Sequence, residues 1–225
     1  MSAANVVAID GPSGSGKSTV SRGVAAALGL EVLDTGAMYR AATLAALEAG
    51  VDLTDATAVS RVAQAAVVEP GDRVLLDGRD VTAAIRGPEV TAAVSTVSAY
   101  PAVREVQVKR QRAWVARHGG GVVEGRDIGS VVFPDAAVKV YLTASETERA
   151  RRRQRDELAA DRSRDVEAVR EDIARRDSID STRAASPLTV ADDAVHLDTT
   201  GRSVDDIVGE IVDRYRAATR GASAQ

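Results

Sequence analysis

Cysteine is absent from all 225 residues, which excludes disulfide bracing, thiolate catalysis and thiolate metal ligation, and permits a reducing compartment. Aromatic residues make up only 3% of the chain, so the core must be built from Ala, Val, Leu and Ile. No apolar run approaches the roughly 18 residues that span a bilayer, and the N-terminus lacks a basic region followed by an apolar stretch. The expectation is therefore a cytoplasmic protein with no membrane contact. Positive charge is not in surplus either: the formal net charge is −4, which argues against a broad nucleic-acid-binding face. Of the 29 basic residues only Lys17, Lys109 and Lys139 are lysines. The arginines concentrate between Arg149 and Arg183, as suits a focused site for a small polyanion better than a duplex track.

Short apolar strands alternate with helical stretches: Asn5 to Asp10, Leu30 to Asp34, Val122 to Gly125, Val138 to Leu142 and Ala194 to Asp198. That rhythm predicts an α/β fold with a five-stranded parallel sheet flanked by helices on both faces. A helix after residue 17 carries Val20, Val24, Ala27 and Leu28 on one face and stops at Gly29. Another runs from Ala37 to Ala49, and Ser203 opens a last helix that reaches about Ala217, with a frayed tail from Thr219. Residues 66 to 86 break the rhythm. Three short strands there, joined through Pro70-Gly71-Asp72 and Asp77-Gly78, predict a small antiparallel insert, since Asp-Gly between two such runs signals a tight hairpin. From about Ser145 to Ser186 the chain is dense in Arg, Asp and Glu, consistent with two exposed helices joined near Ala159 to Ser163. The His118 to Gly121 stretch reads as a flexible loop. A single unit results, with a core of about 1–60, 87–147 and 187–225, the insert at about 61–86 and the two-helix segment at about 148–186.

Residues Gly11-Pro12-Ser13-Gly14-Ser15-Gly16-Lys17-Ser18 fill the template G-x-x-x-x-G-K-[ST] directly after the first strand. Such a loop turns backbone N–H groups around phosphate oxygens, and the following helix adds its positive dipole end. Lys17 would reach the β and γ phosphates and Ser18 would hold Mg²⁺, so a nucleoside triphosphate and a divalent metal are the expected ligands, with Thr19 beside them. The loop alone does not choose among ATPase, GTPase, motor and kinase. No Asn/Thr-Lys-x-Asp motif for guanine is present, and the size favours a small-molecule kinase.

The acceptor side must lie elsewhere at the carboxyl ends of the strands. Candidates are the Leu33-Asp34-Thr35-Gly36-Ala37-Met38-Tyr39-Arg40 stretch, read as a loop, then Glu124-Gly125-Arg126-Asp127-Ile128-Gly129, and Arg175-Arg176-Asp177-Ser178-Ile179-Asp180-Ser181-Thr182-Arg183. Taken with the phosphate loop, these motifs resemble those of the bacterial cytidylate kinases, over about Val6 to Leu197. The resemblance implies a P-loop kinase fold in which the insert binds the monophosphate and the two-helix segment is a lid. It also implies transfer of the γ-phosphoryl group of Mg-ATP to CMP or dCMP by a monomer. Thr35, Tyr39 and Arg40 fall in the monophosphate site; Ser95, Arg104 and Asp127 read the cytosine edge; Arg126 holds phosphate; Arg176, Asp180 and Arg183 contact ribose and phosphates. Lid arginines such as Arg152 and Arg153 would close on the transferring group, and Glu124, where the family commonly has an aspartate, would reach the metal through water.

Plainer roles compete at several positions: Tyr39 as a core aromatic, Arg104 as an exposed helix residue, Asp127 as a helix cap. Two other functions remain open at this stage, a kinase for another acceptor such as UMP, AMP or shikimate, and a regulatory module that holds ATP without transferring phosphate.

Overall fold

The computed structural model describes residues 5–159, 166–182 and 190–222. At its centre is a five-stranded sheet in the order β2-β6-β1-β7-β8, comprising β1 (Val6–Asp10), β2 (Val32–Asp34), β6 (Gly121–Gly125), β7 (Val138–Thr143) and β8 (Val195–Asp198). Every pairing is parallel, with Val7 opposite Val122 and Val138. β1 and β6 are buried along their whole length, as near-continuous apolar runs in a doubly covered parallel sheet must be. Alternate residues of β1 serve opposite faces. Val7 and Ile9 pack with Val20 and Val24 of α1 (Lys17–Leu28) and with Ile207 and Ile211 of α8 (Val204–Ala222). Val6 and Ala8 pack on the other side against Met38 of α2 (Thr35–Glu48), Trp114 of α5 (Pro101–His118) and Phe133.

Because β1 lies between β6 and β7 while the chain returns to either side of it, a crevice opens at the carboxyl ends of these strands. The loops that leave β1, β2 and β6 all empty into it.

The insert forms as expected. β3 (Val68–Glu69), β4 (Leu75–Leu76) and β5 (Arg79–Asp80) make a three-stranded antiparallel sheet. Its Asp77-Gly78 turn has φ of 51° and 77°, the paired left-handed geometry that matches the twist of a hairpin. Val74, Leu76, Val81 and Ile85 bury against Ala37, Ala41 and Ala45 of α2, so the insert is seated on a helix rather than on the sheet. Two helices that the sequence reading left unassigned complete the shell: α3 (Ala56–Ala65), capped by the Asp55 carboxylate, and α4 (Pro88–Ala99). The Arg-rich segment contains α6 (Glu146–Ala159) and α7 (Val166–Thr182); the expected joint near 159–163 lies largely outside the described residues.

Three local expectations are corrected. The helix expected from Ala37 already begins at Thr35, so Thr35 to Arg40 is the first turn and a half of α2 and not a loop, because the Asp34 carboxylate that ends the strand accepts Ala37 N–H at 2.9 Å and caps the helix. His118 to Gly121 is ordered: Gly119 caps α5 in the left-handed conformation, and a Cβ on Gly121 would lie 2.8 Å from the Trp114 ring. Glycine is needed there for close approach, not for flexibility. Finally, α8 continues to Ala222, with Thr219 bonded back to the Tyr215 carbonyl.

The packing makes a stability prediction. Ile211 is fully buried between α8 and the sheet while Val67 is 58% exposed, so Ile211→Ala should lower the unfolding free energy by about 2–5 kcal/mol and Val67→Ser by under about 0.5 kcal/mol. Urea denaturation of both variants checks the contrast; equal losses would contradict the core assigned here.

Candidate functional site

The crevice is a cleft of about 490 Å³ lined by residues 13–20, Asp34 to Ala37, Tyr39, Arg40, Ser95, Ser98, Arg104, residues 124–127, Arg152, Arg153 and others. Gly11 and Pro12 lie behind it. Gly11 has φ of 149°, and a Cβ there would sit 2.2 Å from the Leu142 carbonyl of β7, so the loop can leave β1 this tightly only with glycine. Gly14 and Gly16 also have positive φ. Ser15 closes the turn by donating to the Pro12 carbonyl at 3.0 Å. Lys17 Nζ donates to the carbonyls of Gly11 and Pro12, both at 2.7 Å, which folds the side chain back over the loop.

Around Lys17 the charges are dense and buried. Burial and the neighbouring Arg126 guanidinium push the Lys17 ammonium down from its ordinary range, while Glu124, Asp10 and Asp177 oppose that shift. Burial and Asp34 push Glu124 up, against the pull of Lys17, of the Ser18 hydroxyl hydrogen bond and of Arg22. Glu124 Oε2 is buried and lacks a protein partner. Beside the Ser18 hydroxyl, this orphaned oxygen is a hard donor of the kind Mg²⁺ selects. Among the described residues no cluster of three or more His, Cys, Asp or Glu could cage a metal, so a divalent ion there must take most of its ligands from water and phosphate, which is the ordinary habit of Mg²⁺.

The other wall is built by α4, α5 and the turn after β6. Arg104 of α5 and Asp127 are each about 4% exposed and joined by an Nη2 to Oδ2 hydrogen bond. The same guanidinium donates to the Ser98 carbonyl at 3.3 Å and lies 5.5 Å from the centre of the Tyr39 ring, within cation–π range. Its Nε is buried without a partner. Arg104 is thus not an exposed helix residue, and Asp127 makes no cap with its side chain; the pair is committed to the cleft wall. Ser95 is buried beside Ser98, whose hydroxyl bonds to the Ser95 carbonyl. Tyr39 has both roles, since it packs in an apolar cluster with Val94, Val97 and Val103 and lines the cleft.

Thr35 reaches the cleft, though its hydroxyl is committed to the Glu124 carbonyl at 2.7 Å. Arg40 donates to the Ile85 carbonyl and to Thr91, at 3.1 and 3.0 Å, and so braces the chain just after the insert. Arg126 follows Gly125 at the end of β6 and faces Lys17 across the cleft floor. Arg152 is fixed on the rim: Nη1 donates to Thr199 at 2.8 Å and to the Ser15 carbonyl at 3.3 Å. Arg153 lines the cleft beside it. The side chains of Arg176 and Asp180, and all of Arg183, lie outside the described residues.

Sequence reasoning missed Asp10. Its buried carboxylate accepts Ile128 N–H and Gly129 N–H, each at 2.8 Å, and so ties the start of the phosphate loop to the turn that carries Arg126 and Asp127. Burial, with a smaller contribution from Asp127, pushes Asp10 up to about 6, although the two amides and Lys17 pull the other way. The signal was a carboxylate ending an otherwise apolar strand. Also missed were Arg86, 3.8 Å from Asp34, and Arg155, both of which line the cleft.

Comparison with known proteins follows the same direction. The family described as "Cytidylate kinase" matches residues 7–217. A cytidylate kinase of Mycolicibacterium paratuberculosis is 53% identical over 221 residues, covering 96% of this chain and 97% of its own. One from Rhodococcus opacus is 54% identical over 215 residues, covering 92% and 93%. Among solved structures, an uncharacterized protein from Eubacterium ventriosum shares 11% identity with a TM-score of 0.53, over 94% of this chain and 98% of that one, which is a likeness of fold.

Asp10 gives the site a pH signature. Its folded pKa of about 6 exceeds the ordinary 3.8, so between those values the folded state binds more protons than the unfolded state and stability falls as pH rises. Ionised Asp10 should thus cost on the order of 3 kcal/mol above pH ~6. Urea unfolding from pH 4.5 to 7.5 should show the stability of the natural chain, relative to Asp10→Asn, declining with pH across this window. A difference that stays flat would show that Asp10 titrates normally.

Proposed function

The chain belongs to the cytidylate kinase family, and on that premise we propose that it transfers the γ-phosphoryl group of ATP to the phosphate of CMP or dCMP, giving ADP with CDP or dCDP. The observation that carries this reading is the buried Arg104–Asp127 pair in the same cleft as the phosphate loop. Cytosine presents a carbonyl and a ring nitrogen as acceptors and an exocyclic amine as donor. A guanidinium with an unpaired Nε supplies donors, and a carboxylate accepts from the amine. Uracil, with a carbonyl where the amine stands, would set oxygen against the Asp127 carboxylate and lose that bond.

Proton abstraction is not the difficulty. The second pKa of a phosphomonoester is about 6, so the acceptor oxygen is already largely ionised at neutral pH. The task is to hold two polyanions in line and offset their repulsion. Residues Gly11 to Thr19 cradle the triphosphate, with the Lys17 ammonium poised where phosphate oxygens would replace the Gly11 and Pro12 carbonyls as its partners. Arg126, between Lys17 and the Arg104–Asp127 pair, holds charge on the transferring and accepting groups. Thr35, Tyr39, Arg40 and Ser95 complete the monophosphate wall, and Arg152 and Arg153 approach from α6. In the same proposal the insert is the monophosphate-binding element and α6–α7 a lid, with Arg176, Asp180 and Arg183 reaching ribose and phosphate. Mg²⁺, held by Ser18 directly and by Glu124 through water, would neutralise phosphate charge when bound. A monomer working in the cytoplasm, without nucleic acid, suffices for this chemistry.

A panel of nucleoside monophosphates read by ADP release tests the proposal. CMP and dCMP should be turned over with kcat/KM at least about tenfold above UMP and AMP, and preference for either of the latter would overturn the specificity. Formation of labelled CDP in a single turnover separates a kinase from a module that only binds ATP. Arg104→Met should reduce kcat/KM for CMP by roughly a hundredfold or more, mostly through KM. Lys17→Ala should act mainly on kcat, by a similar factor.

A further inference from the structure

At Ser13 of the phosphate loop, α6 and α7 meet the loop through two charged residues that no step above uses. Ser13 N–H donates to Asp177 Oδ1 at 3.1 Å. Arg149 Nη1 donates to the Ser13 carbonyl at 3.2 Å and also to Asp177 Oδ2. Both backbone polar groups of one loop residue are therefore held by an ion pair whose members belong to different helices. The side chains are largely buried, at 11% and 17% exposed, and neither lines the cleft. Asp177 thus grips the loop at Ser13, beside the cleft-lining stretch Ser13 to Lys17. The contact is tight enough to involve backbone, since a Cβ on Gly14 would meet the Arg149 carbonyl at 2.8 Å.

The placement of Asp177 follows from the pattern of α7. Val169 and Ile173 are buried at a spacing of four, and Asp177 is the next residue of that inward stripe. A solvated-face charge would not lie there. What the grip connects is functional on both sides. α6 carries Arg152, Arg153 and Arg155 into the cleft, and α7 packs on α4, whose Ser95 and Ser98 line the acceptor wall. Among the described residues few apolar side chains anchor these helices, so the ion pair, with the Arg152 contact to the Ser15 carbonyl, is a principal tie between them and the loop. A carboxylate also adds what a neutral side chain would not, because Asp177 lies within electrostatic reach of Lys17.

We propose that Asp177 is a positioning residue for phosphoryl transfer, which with Arg149 clasps Ser13 and so registers the arginines of α6 and the acceptor wall to the phosphate loop. The proposal rests on the kinase reading above and deepens it. Its consequence is thermodynamic: ligands at the two ends of the cleft are coupled through the clasp, each raising the affinity of the other.

The test uses the full chain. Asp177→Ala, Arg149→Ala and the double variant are assayed for CDP formation, for thermal midpoint, and for CMP affinity by calorimetry with and without a non-hydrolysable ATP analogue. Each single substitution should lower kcat about tenfold or more and raise the KM for CMP at saturating ATP by about the fivefold coupling it removes, leaving CMP affinity without ATP little changed. The double variant should be no worse than the poorer single one, because both remove one unit. The analogue should raise CMP affinity at least about fivefold in the natural chain and hardly at all in the variants, with midpoints within about 3 °C of the natural chain. Unchanged kcat, multiplying effects, or a loss of activity that tracks a loss of midpoint would overturn the proposal. Should the alanine variants fail to fold, Arg149→Lys replaces them: one ammonium keeps the charge but not the planar fork, and natural coupling in that variant would likewise overturn it. Failure of the natural chain to make CDP would instead defeat the kinase reading, a result distinguishable from both.

Discussion

One buried carboxylate sets the geometry on which the cleft depends. Asp10 ends β1, the central strand, and its two oxygens accept consecutive amides at the start of the turn that follows β6. β1 and β6 are neighbours in register, Asp10 opposite Gly125, so this contact joins two loops at the level where both leave the sheet. It fixes the Gly11 to Ser18 loop relative to Arg126 and Asp127. The cost is evident in the raised pKa of Asp10: two amides do not fully replace the water that a carboxylate gives up. Fixed geometry between donor and acceptor groups is worth that cost when two charged substrates must meet in line.

Asp10 also belongs to a wider balance. The buried Asp10, Glu124 and Asp127 are set among the buried Arg104 and the half-buried Lys17 and Arg126. A network whose signs cancel limits the desolvation cost that any one of its members would carry alone. Such a set is nearly neutral toward a polyanion, however. The positive charge that favours nucleotide phosphates must come from outside it, and Arg40, Arg86, Arg152, Arg153 and Arg155 ring the cleft in that position. This accounts for an acidic chain that nonetheless presents an anion site.

The parts of this arrangement that were legible in the sequence are those written in local chemistry. The apolar runs of β1 and β6, the glycine spacing of residues 11 to 18 and the Asp77-Gly78 turn each carry their own physical reason, and the structure has them where the residues put them. α4 was not legible because its Thr91-Ala92-Ala93-Val94-Ser95-Thr96-Val97 stretch mixes β-branched and small residues, so that neither helical nor strand periodicity dominates. His118 to Gly121 was misread because a glycine run looks the same whether it is loose or packed against Asn5 and Trp114. Asp10 and Asp177 escaped for a different reason. The backbone amides they accept are more than a hundred residues away, and a carboxylate in an Arg-, Asp- and Glu-dense helix is indistinguishable from a solvated charge until the fold is known. The cleft residues Arg104 and Asp127 were found only through motif order, since spacing alone cannot bring α5 to the turn after β6.

The distribution of apolar contact decides where the molecule can yield. β1, β6 and the helices beside them share two clusters of buried side chains, and the Asp10 contact lies inside that rigid unit. The insert is held differently. It rests on the alanines of α2, and Arg110 of α5 donates to the carbonyls of Ala63, Gln64 and Ala66 where α3 ends and the insert begins. Satisfying a helix terminus by a flexible arginine is a softer anchor than burying a strand. Among the described residues α7 contributes Val169 and Ile173 as its buried apolar residues, with the Asp177–Arg149 contact added to them. Donor-side groups therefore sit on the stiff part of the protein, while the insert and the α6–α7 pair sit on the parts that can move at low cost. In the kinase proposed above, closure around two nucleotides would then be most economical as a displacement of those two elements, with the sheet and the phosphate loop unchanged and water excluded as the arginines arrive.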